Sequence, residues 1–354
     1  MKKIFLALAA VAALAACSKT EYEDDKVEIS FSPVTKNITK SMITGVAFPK
    51  TESFNVWAWY KQVPTNSTLE EWVPSDSEHL YVSEGEFVNK GGTANWKGKT
   101  SYYWPKVGSL LFAGYYPASI AEDVDYNFNS TQNQMVFNNI RERLVDDDGD
   151  PCEDIMYFNM TENSANSGPV SVVFKHALSW ITVNLSRPSD NAVGVDYPKI
   201  LVNSVTFTKV NPQGTGTVTG TDGKIEWVTN GTTQNPVVTP AAGVVLTKAV
   251  QKQAEPLFIP QVLIPDEKST TDVNEAMQLQ VNYTIFSSAN EYFTETYSVD
   301  LAGMEGTTTS GTTKLEAWEP AKHYTYNISI SLEEILIEPK VEDWTNVTVA
   351  VPVK

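Results

Sequence analysis

"VSVVFKHALSWITVNL", residues 170–185, alternates apolar and polar positions and then changes phase. Val172, Phe174, His176, Leu178 and Trp180 fall on even positions, while Ile181, Val183 and Leu185 continue on odd ones. A period of two marks a strand with one buried face. A buried face that changes parity requires a bulge or bend, expected near Trp180-Ile181. His176 sits in the apolar register, and no acid, cysteine or second histidine is placed in the sequence to help it. A buried, hydrogen-bonded histidine is therefore expected rather than a ligand or a base.

The same short alternation recurs outward from this stretch. "VEISF" (27–31), "FNVWAWY" (54–60), "LLFAGYY" (110–116) and "MQLQVNYTIF" (277–286) are separated by clusters of Gly, Asn, Pro, Ser and Thr. That pattern is all-β, and antiparallel sandwiches fit it because nothing resembles the helix of a parallel crossover unit. A single helical turn is expected near Leu69 to Trp72. The apolar fraction of 42% and aromatic fraction of 11% are enough to furnish real cores. The polar stretch "TENSANSGP" (161–169) suggests a boundary, with one sandwich over 41–166 and a second over 167–354. No short repeat points to a solenoid or propeller.

Composition removes several functions. A net charge of −17 repels phosphate backbones, so nucleic acid is not an expected partner. The three histidines, His79, His176 and His323, are about a hundred residues apart or more, and the two cysteines give no disulfide framework or metal cluster. "DDDGD" (Asp146–Asp150) invites a calcium loop. An EF-hand counted from Asp146 needs Gly at its sixth position, where Pro151 stands, so a charged turn is expected. Trp57, Trp59, Trp72, Trp96, Trp104 and the pairs Tyr102-Tyr103 and Tyr115-Tyr116 could stack on sugar rings. Alternating aromatics in sheets are more usually core and cross-strand pairs. No nucleophile elbow, metalloprotease helix or phosphate loop occurs, so no catalytic residue, cofactor or metal is expected.

The chain begins as an exported protein does. Lys2 and Lys3 precede the apolar segment Ile4–Ala16, whose thirteen residues are too few to span a bilayer as a helix. "LAAC" (14–17) resembles the bacterial lipobox, in which the cysteine is acylated and becomes the new N-terminus. Residues 1–16 are thus read as a signal peptide and Cys17 as the lipidation site. The acidic run Glu21, Glu23, Asp24 and Asp25 resembles an export signal of surface lipoproteins, placing the protein at the outer membrane.

Both ends carry amphipathic strands. Val27, Ile29 and Phe31 lie on one face of "VEISF". Val347, Val349, Val351 and Val353 lie on one face of "VTVAVPVK", with Pro352 unable to donate to a ladder. So apolar a terminal strand needs a groove.

Here the chain resembles the fimbrillins, the lipoprotein-derived subunits of type V pili. The resemblance rests on the lipobox and its acidic follow-up, "FNVWAWYK" (54–61), "YYWPKVGSLLFAGYYP" (102–117), "EDIMYF" (153–158), "VVFKHALSWITVNL" (172–185), "WEPAKHYTYNISI" (318–330) and "KVEDWTNVTV" (340–349), in that order. It implies two tandem transthyretin-like, Greek-key β-sandwiches and a structural, non-enzymatic role in adhesion. It also implies that a protease removes the first strand (Val27, Ile29, Phe31, within the segment 17–40) with its lipid. The terminal strand of another subunit (Val347, Val349, Val351, Val353) then fills the groove. The family's cut commonly follows an arginine, yet none occurs before Arg141. The candidates are Lys40 and, second, Lys36. An uncut strand would make the protein a pilus anchor that keeps its lipid. From another class, a non-polymerising surface lipoprotein that binds glycans also fits. Expected partners are other pilus subunits, the outer membrane through the lipid, and a glycan or protein receptor.

Overall fold

The computed structural model describes residues 26–39, 42–61, 80–92, 94–106, 108–129, 132–142, 154–164, 168–190, 194, 196–219, 223–265, 276–308, 311–331 and 335–343. The expected turn at 69–72 lies outside them. Among the described residues the regular structure is almost all strand. In chain order the first half contributes β1 (Ser30–Thr39), β2 (Met42–Ala47), β3 (Ser53–Lys61), β4 (Leu80–Asn89), β5 (Trp96–Gly98), β6 (Ser109–Tyr116), β7 (Val124–Asn129), β8 (Gln132–Arg141), β9 (Met156–Ser164), β10 (Val170–Val173) and β11 (Lys175–His176). After them come β12 (Ser179–Ser186), β13 (Lys199–Phe207), β14 (Gln213–Thr219) and β15 (Lys224–Asn230). Later strands are named by their residues. A short 3-10 helix, Ala118–Asp123, joins β6 to β7.

The first sheet has the order β10-β1-β5-β4-β3-β6-β9-β11, with β2 attached to β1. Its two ends, β10 and β11, are separated along the chain by Phe174 alone, so the sheet curls round until its ends meet. Inside the curl, Phe54, Val56 and Ala58 of β3 join Phe31, Phe87, Phe112 and Phe158 in one core. The alternate residues Trp57 and Trp59, with Leu111, Ala113 and Tyr115 of β6, face a second core on the outside. A strand buried on both faces reads as a nearly continuous apolar run. That accounts for the look of "FNVWAWY" and "LLFAGYY". Gly114 lets β3 and β6 approach: a Cβ there would lie 2.5 Å from the Asn55 carbonyl oxygen and 2.6 Å from the Phe158 ring.

The outer core is covered by a four-stranded sheet of order β15-β14-β8-β7. It takes one hairpin from each side of the expected boundary, with Val218 pairing with Met135 and Gly214 with Ile140. β9 continues through Ser164 into the polar stretch 161–169, and β10 and β11 return to the first sheet. The chain therefore leaves the first sheet after His176 rather than at 161–169. The physical reason is coverage: Trp57 and Trp59 are closed over by Val218, Ile225 and Ile259 from the later part of the chain.

The stretch 170–185 is thus three strands, not one with a bulge at 180–181. Breaks fall at Phe174, between the two ends of the first sheet, and at Ala177-Leu178, where the chain crosses to the next sheet; all three residues are fully or nearly fully buried. Trp180 belongs to the outer face of β12 with Thr182 and Asn184, while Ile181, Val183 and Leu185 point into the core. β12 runs parallel to Lys322–Ile330, which pairs antiparallel with Ile335–Asp343. Facing them is a sheet of Val244–Val245, β13, Gln278–Phe286 and Tyr292–Asp300. Between the two layers Phe258 stacks on Trp318 at 5.0 Å, and Trp318 Nε1 donates to the Tyr326 hydroxyl at 3.0 Å.

The outer face of β12 carries a pH-sensitive contact. His323 stacks on Trp180 with ring centroids 3.7 Å apart and sits 2.9 Å from the Thr182 hydroxyl. Burial pushes its pKa down to about 4. The fold thus favours neutral imidazole, so its contribution to stability is present above about pH 6.5 and lost as pH falls through 4. Glu142, which burial pushes up to about 7, titrates with the opposite sign. The informative comparison is therefore between variant and parent. His323→Asn should shed about 2–3 kcal/mol less stability than the parent between pH 7 and pH 4, measured by denaturant melts at each pH.

Candidate functional site

The site begins with the first strand. Approaching β1, the Ile29 amide donates to the Tyr102 carbonyl at 2.8 Å and the Trp104 amide to the Val27 carbonyl at 2.9 Å. Ser30 and Phe31 pair antiparallel with Lys97 and Trp96 of β5. Phe31 to Val34 pair parallel with Val170 to Val173 of β10. β1 is therefore an inserted strand with ladders on both sides. The Lys97 ammonium donates to the Glu28 carboxylate at 2.5 Å, and this bond holds the Glu28 carboxyl below the usual range.

The side chains make the same statement. Ile29 and Phe31 are fully buried. The Phe31 ring lies 4.7 Å from Phe87, 5.2 Å from Phe112 and 5.7 Å from Phe54, each edge to face. Edge-to-face pairing is the favoured aromatic geometry. Val27 departs from the expected face: it is 43% exposed. It precedes the two-sided pairing of β1, and its carbonyl accepts from the Trp104 amide. The slot is therefore filled by Ile29 and Phe31, with the buried ring of Pro33 beyond them.

At its far end β1 turns back into β2. Val34 pairs with Ala47, Asn37 with Gly45 and Thr39 with Met42. Lys36 lies within β1. Lys40 lies outside the described residues, as do Cys17, the acidic Asp146–Asp150 segment, Trp72, and Val347, Val349, Val351 and Val353.

Elsewhere the expected chemistry resolves into structure. Trp57, Trp59, Trp96 and Trp104 are all buried in cores, as are Tyr115 and Tyr116, so these rings serve packing. Among the described residues no group of three or more His, Cys, Asp or Glu is arranged to hold a metal, and no helix is long and apolar enough to cross a membrane. His176 is buried and hydrogen-bonded as expected, but an acid does stand beside it: its Nδ1 is 2.5 Å from Asp154 Oδ2, and both residues are buried. The bond ties β11 to the start of β9, where His176 pairs with Met156. Twenty-two residues separate the pair, and the sheet's closure joins them. The only sequence signal was an acid standing directly before the apolar "IMYF". Beside them an open cavity of about 630 Å³ is lined by Phe174, His176, Lys224, Glu319, Lys322 and Asp343.

The model of a family described as fimbrillin-like matches residues 39–344. Among solved structures, a fimbrial protein from Bacteroides vulgatus aligns with a TM-score of 0.53 at 14% identity, covering 82% of this chain and 93% of its own. A protein from Bacteroides uniformis, described as a candidate for cell adhesion, aligns at 0.49 and 15%, covering 91% and 99%. The tip fimbrial protein Mfa3 from Porphyromonas gingivalis aligns at 0.45 and 10%, covering 90% and 100%. No curated protein matches.

Proposed function

Since the chain belongs to the fimbrillin-like family, a family of structural adhesion proteins, we propose that it is a fimbrial subunit made as an outer-membrane lipoprotein and polymerised by strand exchange. In this reading Cys17 carries the lipid. Cleavage after Lys40 releases residues 17–40 and empties the slot of β1. Val347, Val349, Val351 and Val353 of another subunit then enter it. The observation that carries the reading is the seating of β1: ladders on both sides, with Ile29 and Phe31 wholly buried. Taking it out leaves unpaired backbone on β5 and β10 and an apolar trough, and a donated strand satisfies both.

Lys40 is favoured over Lys36 because Lys36 lies inside the β1–β2 ladder, where a protease cannot thread the backbone. Lys40 falls outside the ladder, whose last pairing is Thr39 with Met42. Lys40→Gln should therefore leave the precursor unprocessed and unassembled, while Lys36→Gln assembles normally, scored by subunit size and fibre content at the cell surface. Assembly by the Lys40→Gln variant at the normal level would refute this cleavage site. The absence of arginine before Arg141 supports a second reading, an anchor subunit that keeps β1 and its lipid and only donates. In that case neither substitution changes the subunit's size.

A further inference from the structure

The strand Tyr292–Asp300 is an outer edge of its four-stranded sheet. It pairs with Gln278–Phe286 along its whole length on one side, and among the described residues no strand pairs with its other side. Residues 292–298 are exposed on both faces, with Tyr292 at 68%, Phe293 at 57% and Tyr297 at 39%. The other strands at sheet ends are shorter. β10 has four residues, β11, Val244–Val245 and Gln251–Lys252 two each, Gly311–Lys314 four, β7 six, and β15 seven with Lys224 among them. Tyr292–Asp300 spans nine residues with no Pro, Lys or Arg, the kind of edge that invites another strand.

We propose that a second copy of this chain occupies it, the two strands running antiparallel about a two-fold axis at Thr296. The side chains are complementary to themselves in that register. Glu295 of each copy faces Tyr297 of the other, and Asp300 faces Tyr292. Both acids thus meet a phenol that can donate to them. Phe293 faces Val299, Thr294 faces Ser298, and Thr296 faces itself. Glu295 already accepts from the Tyr283 hydroxyl at 3.0 Å, and Asp300 from Gln278 Nε2 at 2.9 Å, so both carboxylates are held in place. A register centred on Glu295 would set like charges face to face and is disfavoured. Exposure on both faces lets the sheet continue into its copy without a clash, making one eight-stranded sheet from two four-stranded ones. A two-fold contact is isologous, whereas strand donation is head to tail. This pairing therefore joins chains or fibres side by side and does not depend on the donation reading.

The test is cross-linking of the full chain in cells. Thr296→Cys places two thiols directly opposite each other, within disulfide reach. Mild oxidation should yield a dimer whose 296–296 linkage is mapped by peptide mass spectrometry, which separates it from bonds through Cys17 or Cys152. Adding Tyr297→Glu opposes two carboxylate pairs and should cut the yield at least tenfold. Adding Glu295→Lys to that variant converts both contacts to ion pairs and should restore it. All these side chains except Glu295 act outside the core contacts, and unchanged melting of the Tyr297→Glu variant confirms an intact fold. Absence of a 296–296 linkage, or a yield indifferent to Tyr297→Glu, would overturn the proposal.

Discussion

Truncation after Asn346 is expected to abolish polymerisation while moving the melting temperature of the uncut precursor by no more than a few degrees. In an extended strand the removed segment, "VTVAVPVK", would place Val347, Val349, Val351 and Val353 on one face over about 20–23 Å. Four buried valines would contribute on the order of 6–12 kcal/mol gross before the cost of ordering. Such a face is a liability in water and an asset in a groove. Ile29 and Phe31 already fill the slot beside β5 and β10, so the precursor's fold is expected not to depend on the segment. Placing Asp at both Val349 and Val351 should block assembly equally, because each carboxylate buried without a partner costs several kcal/mol. Thr348→Ser and Ala350→Ser, on the opposite face, should change little. Fibre yield and melting are to be read together for each variant. If truncation unfolds the precursor while the double Asp variant still polymerises, this segment is an internal strand and the donor assignment fails.

The second large effect concerns the emptied slot. A subunit freed of residues 17–40 and also truncated after Asn346 has neither its own first strand nor a donor. It loses the burial of Ile29 and Phe31, roughly 4–6 kcal/mol of hydrophobic stabilisation. The ladder bonds that β1 makes to β5 and β10 are lost as well. For a domain of this size such a loss lowers the melting temperature on the order of 10–20 °C. A synthetic peptide of residues 345–354 should restore most of that loss. The same peptide with Asp at positions 349 and 351 should not. Complementation is the informative arm, since it tests the groove and its occupant without needing fibres. Equal rescue by both peptides would show that the slot does not read the valine face.

The sequence made the fold class legible because alternation is a local property. "FNVWAWY" and "LLFAGYY" became strands, and Trp57, Trp59, Trp96 and Trp104 lie in cores as expected. What it misplaced depends on contacts made far along the chain. The phase change in 170–185 was visible, but a crossing between sheets looks the same as a bulge until the partners of β10, β11 and β12 are known. The polar stretch at 161–169 looked like a joint. The hairpin β14–β15, which completes the first half from beyond that stretch, leaves no local signature of its destination. In the first strand, Ile29 and Phe31 were read correctly as buried. Val27 was not, because alternation says which face a residue takes but not where coverage ends. Asp154 escaped notice beside His176 because the curl of the sheet, not sequence spacing, brings them together.

The central claim is that β1 is a temporary occupant of a slot meant for another subunit. Its most direct test is the N-terminus of subunits recovered from surface fibres, determined by peptide mass spectrometry. Cleavage after Lys40 predicts Ser41 as the first residue, with no peptide from residues 17–40. Fibres whose subunits all begin at a lipid-modified Cys17 would contradict it.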